Sequence, residues 1–268
     1  MNRLGLALLL PVLGIASVMG MGTAAAHQTA PCPPSHVRLT GRPLDAPPAK
    51  RAHLILVNAH NAGDRPNSAH RAAAAGAGMI EIDVTWAGGE LYAAHQRPVA
   101  ASVVGCGNET LARAWTAVST VPATLLDLKS NTPAAVAQVS AFLARAGGNR
   151  RVYISTPSQG ALETLRATAP SAIRLLTVST PMRLAQLLSS GPRWPMIEGV
   201  SLKESLVTRS TVRALRARNL LVQPYTVNRM SRINELAAWG VTGVTTDDLT
   251  IAHALASSRT SPPRAVAR

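Results

Sequence analysis

Met79-Ile80-Glu81-Ile82-Asp83-Val84-Thr85 alternates apolar and acidic side chains with a period of two. Successive side chains of a strand point to opposite faces, so Ile80, Ile82 and Val84 share one face and Glu81 and Asp83 the other. Burying two carboxylates on one face is costly unless a cation meets them. Outward from this stretch, short β-branched runs alternate with helical ones. Strands are predicted at His53–His60, Met79–Thr85, Thr124–Lys129, Arg151–Thr156, Ile173–Thr180, Ile197–Lys203, Leu221–Asn228 and Gly243–Asp247. Helices fall between them at Ser68–Gly76, Pro133–Arg145, Ala161–Ala167, Met182–Ser189, Thr208–Arg218 and Ser231–Trp239, with a last one carrying His253. The turn dipeptide Gly88-Gly89 makes Glu90–His95 a hairpin strand. Eight main strands with helical crossovers predict an α/β fold, a single-domain (β/α)8 TIM barrel, with an open doubly wound sheet as the alternative.

The ends of the chain read differently. Arg3, the apolar run Leu4–Met19 and the small residues Ala24-Ala25-Ala26 have the layout of a signal peptide over residues 1–26, which predicts a secreted, extracellular protein. An uncleaved membrane anchor is the other reading of that run. Residues 27–52 form a Pro-rich arm without periodicity, residues 53–257 the barrel, and residues 258–268 a basic tail. Outside the cell, Cys32 and Cys106 can pair, which would be worth about 4 kcal/mol in chain entropy, or stand as two thiols.

The 268 residues carry 27 Lys+Arg against 13 Asp+Glu, a net charge of +14 that suits contact with an anionic membrane or cell surface. Nucleic acid is not an expected partner, because the arginines are spread without a basic motif and only 3% of residues are aromatic. Dinucleotide fingerprint, P-loop, zinc helix and nucleophile elbow are all missing from the sequence. In a parallel barrel, chemistry gathers at the C-terminal strand ends. His60 ends the first strand, Glu81 and Asp83 ride on the second, Asp127 and Lys129 share a phase on the third, Lys203 ends the sixth, and Asp247 with Asp248 ends the eighth. Three converging carboxylates suit a hard divalent cation, Ca2+ or Mg2+. The alternative is a salt-bridge cluster in which Lys129 pairs Asp127.

In order along the chain stand Ala59-His60-Asn61-Ala62-Gly63, Pro66-Asn67-Ser68-Ala69, Gly76-Ala77-Gly78, Ile80-Glu81-Ile82-Asp83-Val84, Ala94-His95, Asp127-Leu128-Lys129, Tyr225-Thr226-Val227-Asn228 and Gly240-Val241-Thr242-Gly243-Val244-Thr245-Thr246-Asp247. This series resembles the glycerophosphodiester phosphodiesterase family of phosphoric diester hydrolases. The resemblance implies a metal-dependent phosphodiesterase of lipid metabolism acting on a small phosphodiester or phospholipid-derived substrate. Glu81, Asp83 and Asp127 would hold the cation, and His60 and His95 would exchange protons. Lys129 would contact phosphate, and Asn61, Lys203 and Tyr225 would lie against substrate. Asn61 stands where the family has Arg, Asn67 where it has Glu, Gln96 where Asp is common, and Tyr225 where it has Trp. Two further functions follow: a phospholipase D-like enzyme of the sphingomyelinase D type, or a catalytically weak barrel that binds anions.

Overall fold

The computed structural model describes residues 37–96, 109–146, 150–190 and 194–260. The leader, Cys32, Cys106 and the end of the basic tail lie outside the described residues. A 3-10 turn over Lys50–Leu54 leads into β1 (Leu56–Ala59), then come α1 (Pro66–Ala74), β2 (Met79–Ala87) and the hairpin strand β3 (Glu90–Ala93). A two-residue strand β4 (Glu109–Thr110) precedes α2 (Leu111–Ala117). Regular alternation follows through β5 (Ala123–Leu128), α3 (Pro133–Ala146), β6 (Arg151–Thr156), α4 (Gln159–Thr168), β7 (Ile173–Val178) and α5 (Pro181–Ser189). It ends with β8 (Gly199–Lys203), α6 (Arg209–Arg216), β9 (Leu221–Tyr225), α7 (Met230–Trp239), β10 (Gly243–Thr246) and α8 (Leu249–Thr260), which runs past residue 257.

The parallel strands follow the order β10-β1-β2-β5-β6-β7-β8-β9. Backbone bonds from Thr242 N–H to Val222 O (3.2 Å) and from Val227 N–H to Thr245 O (2.8 Å) join β9 to β10 and close the barrel. The doubly wound alternative is thereby set aside. Strand entry to helix is fixed locally: the hydroxyls of Thr110, Ser158, Thr180 and Thr208 accept amide hydrogens that open α2, α4, α5 and α6. Several strands are shorter than expected at their ends; His53 lies in the 3-10 turn rather than in β1, and His95 lies beyond β3. The described part of the arm is bonded to the barrel.

Two apolar cores result. The larger one packs Ile80, Ile82, Val84, Leu126, Leu128 and Ile154 outward against the helices. The smaller fills the barrel's lower interior with Met79, Ala123, Leu125, Tyr153 and Leu175. Gly199 belongs there for steric reasons: a Cβ would come within 2.6 Å of Leu221 Cβ and 2.9 Å of Leu175 Cδ2.

Candidate active site

Two residues further along each inward row, the barrel interior turns polar. Met79 gives way to Glu81 and Asp83, Leu125 to Asp127, Tyr153 to Ser155, Leu175 to Thr177, and Leu221 to Gln223 and Tyr225. The register sets Asp83 beside Asp127 and Asp127 beside Ser155 across adjacent strands. A cavity of about 520 Å³ opens at this end, lined among others by His60, Glu81, His95, Asp127, Lys129 and Tyr225.

Ligand atoms of Glu81, Asp83 and Asp127 all lie within 4.8 Å of one another. Asn58 Nδ2 donates to Glu81 Oε2 (2.7 Å) and to Thr245 Oγ1 (3.0 Å). Lys129 Nζ contacts Asp83 Oδ1 (3.1 Å) and donates to Asp127 Oδ2, and Ser155 Oγ donates to Asp127 Oδ1 (2.5 Å). The expected Lys129–Asp127 pair is therefore present within the carboxylate cluster. Burial alone would favour a neutral amine at Lys129, but Asp127 and Asp83 hold the ammonium above its usual range.

The acidic charge is under strain. Burial pushes Glu81 up to about 8, with Asp127 and Asp83 adding to the effect against the opposing His60 charge. Asp64, in the 3-10 turn Ala62–Asp64, accepts the Asp83 amide hydrogen (2.8 Å) and is pushed upward by burial and by the Asp83 charge. Gly63 permits that turn to lie on β2, since a Cβ would meet the Glu81 carbonyl oxygen at 2.8 Å. Asp83 Oδ1 is buried and lacks a well-aligned hydrogen bond, although the Lys129 ammonium touches it. Oxygen donors and clustered buried carboxylates fit a hard divalent cation.

Both histidines face carboxylates through Nδ1. His60 Nδ1 lies 2.7 Å from Asp247 Oδ1, and His95 Nδ1 lies 2.7 Å from Asp83 Oδ2. Desolvation would lower the His60 pKa, but the hydrogen bond to Asp247 and the charges of Glu81, Asp247 and Asp83 raise it to about 9. Asp247 is itself held by Asn228, whose Nδ2 donates to Oδ2 (2.9 Å) and whose Oδ1 accepts the Asp247 amide hydrogen (2.9 Å).

The fold thus brings His60, Glu81, Asp83, His95, Asp127, Lys129 and Tyr225 to one end of the barrel. Asn61 takes a left-handed backbone (φ 51°) beside the site and Lys203 is exposed at the tip of β8; neither lines the cavity. Asn58, Asp64 and Ser155 join the site without a motif of their own in the sequence. Asn58 carried a readable signal, since it precedes His60 by two residues in the same phase. Asp64 carried none, because its contact with the β2 backbone is purely tertiary.

Against this geometry, residues 119–251 match the glycerophosphoryl diester phosphodiesterase family. The second half of the chain thus carries the match to this family. Its members are phosphoric diester hydrolases, and the chain falls in that enzyme class. Among solved structures, a phosphodiesterase from Oleispira antarctica in complex with the product sn-glycerol-3-phosphate is similar at 21% identity and TM-score 0.62, covering 76% of this chain and 97% of that one. A glycerophosphodiester phosphodiesterase from Parabacteroides distasonis is similar at 17% identity and TM-score 0.62, with 78% and 99% covered. No curated protein matches by sequence. The family match takes in Asp127, Lys129, Tyr225 and Asp247 but begins after His60, Glu81, Asp83 and His95. Of the four departures from the family pattern, Asn61, Asn67 and Gln96 lie in that earlier part and Tyr225 lies within the match.

Proposed function

We propose that the chain is a secreted, divalent cation-dependent phosphodiesterase that hydrolyses glycerophosphodiesters or related phospholipid-derived diesters, with His60 and His95 moving protons. The observation that carries this is the placement of two carboxylate-oriented imidazoles beside the Glu81–Asp83–Asp127 cluster at one cavity. Glu81, Asp83 and Asp127 would hold Ca2+ or Mg2+, which when bound neutralises non-bridging phosphate oxygens. With Nδ1 committed to a carboxylate, each imidazole presents Nε2 for proton transfer. His60, held as imidazolium by Asp247, suits protonation of the leaving alkoxide. His95, which is largely exposed, suits removal of a proton from the attacking hydroxyl. Lys129 places a fixed positive charge beside the phosphate position, and Tyr225 lines the opposite wall.

Secretion is supported by the Leu4–Met19 run and the Ala24–Ala26 site; among the described residues no helix is long and apolar enough to cross a membrane. The positive net charge supports approach to anionic surfaces. Phosphorus NMR of glycerophosphocholine and lysophosphatidylcholine incubated with the protein and Mg2+ or Ca2+ tests the reading. Glycerol phosphate is the expected product. A cyclic phosphate retained on the lipid would instead identify the phospholipase D-like reaction, and no turnover of either would leave an anion-binding barrel.

A further inference from the structure

The arm meets the barrel at the junction that carries Asp247. Arg38 N–H donates to Asp247 O (3.0 Å), Leu249 N–H donates to Arg38 O (2.9 Å), and Arg38 forms an isolated parallel bridge with Asp248. Two residues on, Thr40 Oγ1 donates to Asp248 Oδ2 (3.2 Å) and Thr40 N–H to Thr250 Oγ1 (3.2 Å). Further contacts fall on α7. Asp45 accepts the Ser231 amide hydrogen (3.1 Å) and hydroxyl, Ala49 N–H donates to Asn234 Oδ1 (2.7 Å), and Asn234 Nδ2 donates to Pro47 O (2.8 Å).

We propose that the segment from Arg38 to Ala49 is a positioning strap for His60, fixing the Asp247–Asp248 backbone and thereby the direction of the imidazole at the cavity. Asp247 lies just past the last residue of β10, so the strand ladder does not hold its main chain. The strap bonds its carbonyl oxygen, while Asn228 bonds its amide hydrogen and its carboxylate. Asp247 then sets the ring through a 2.7 Å contact, so a shift of the junction passes directly to His60. Among the strap's backbone bonds is one to the residue that orients the histidine. The inference rests on the reading of His60 as a proton-transfer group, and misplacement of such a group by about 1 Å can cost about 10²-fold in rate.

Thr40→Val in the full chain removes the side-chain bonds to Asp248 without touching the cavity, and Thr40→Ser restores the hydroxyl. With glycerophosphocholine and Mg2+, Thr40→Val is expected to lower kcat about tenfold with KM within about twofold, and Thr40→Ser to recover most of the loss. The low-field proton resonance of the His60 Nδ1–H to Asp247 bond, assigned by its loss in Asp247→Asn, should weaken in Thr40→Val and return in Thr40→Ser. Arg38→Pro, which removes the N–H to Asp247, should act in the same direction more strongly; if it does not fold, the Thr40 pair decides. Unchanged kcat with an unchanged His60 resonance would overturn the strap, as would a lower melting temperature accompanied by neither change. If the wild type turns over no phosphodiester while the resonance still responds to Thr40→Val, the strap stands and the proposed activity falls.

Discussion

The two ends of the barrel interior are built from the same strands and the same inward-facing phase, yet they have opposite chemistry. Met79, Leu125, Tyr153 and Leu175 close the lower end as a small apolar plug. One inward step further, Glu81, Asp127, Ser155 and Thr177 line the open end. The lower end gains from being dry and filled, as a core does. The upper end carries polar groups whose burial is unfavourable and whose combined placement suits a cation and a phosphate. The cost of the site is thus concentrated in one layer, above a plug that keeps the barrel closed.

Exchanging the chemistry of the two layers should break this division of labour. His60→Ala or His95→Ala should lower kcat by about 10²–10⁴-fold while leaving the fold intact, measured by turnover and by circular dichroism. In the plug the pattern should invert. Leu125→Ala, at a buried position, should cost about 2–5 kcal/mol in urea unfolding, with kcat of the folded fraction preserved.

Titration sharpens the contrast further. Glu81 binds its proton more tightly in the folded chain, at about 8, than its ordinary value of 4.5, and His60 does so at about 9 against 6.5. Between those limits the native state holds more protons than the unfolded chain, so stability falls as pH rises. The melting temperature of the metal-free protein should therefore decrease from pH 5 to pH 9. Glu81→Gln, which keeps the acceptor for Asn58, should flatten the lower part of that slope. Saturating Mg2+ or Ca2+ should also offset it in the wild type, by favouring the ionised carboxylates. The smallest effect is expected from Lys203→Ala. Its side chain is exposed and outside the cavity lining, so kcat/KM should change by less than about twofold.

Much of this division was legible in the residues. Alternation in Ile80-Glu81-Ile82-Asp83-Val84 placed the acids on the inward face, and β6 has the predicted bounds Arg151–Thr156. The short α2 leaves no clear mark in the sequence, because β4 before it is only two residues and offers no period. Asp247 is legible as a strand-end acid, but its partner His60 follows β1, the strand paired with β10 from the far end of the chain, and sequence distance carries no information on that pairing. Residues 27–52 read as a Pro-rich arm without periodicity, which does not indicate where the arm attaches. Its bonds to Asp247, Asp248 and Ser231 depend on single side chains and main-chain edges, which have no periodic signature.

The central claim is that the polar layer works as a cation-dependent phosphodiesterase centre. The most direct measurement is turnover of glycerophosphocholine by chelator-stripped protein as free Mg2+ or Ca2+ is titrated back. Release of glycerol phosphate should rise from background to a saturating rate in the wild type and stay at background in Glu81→Gln. Full turnover in the presence of chelator, or none at any cation concentration, would contradict the account.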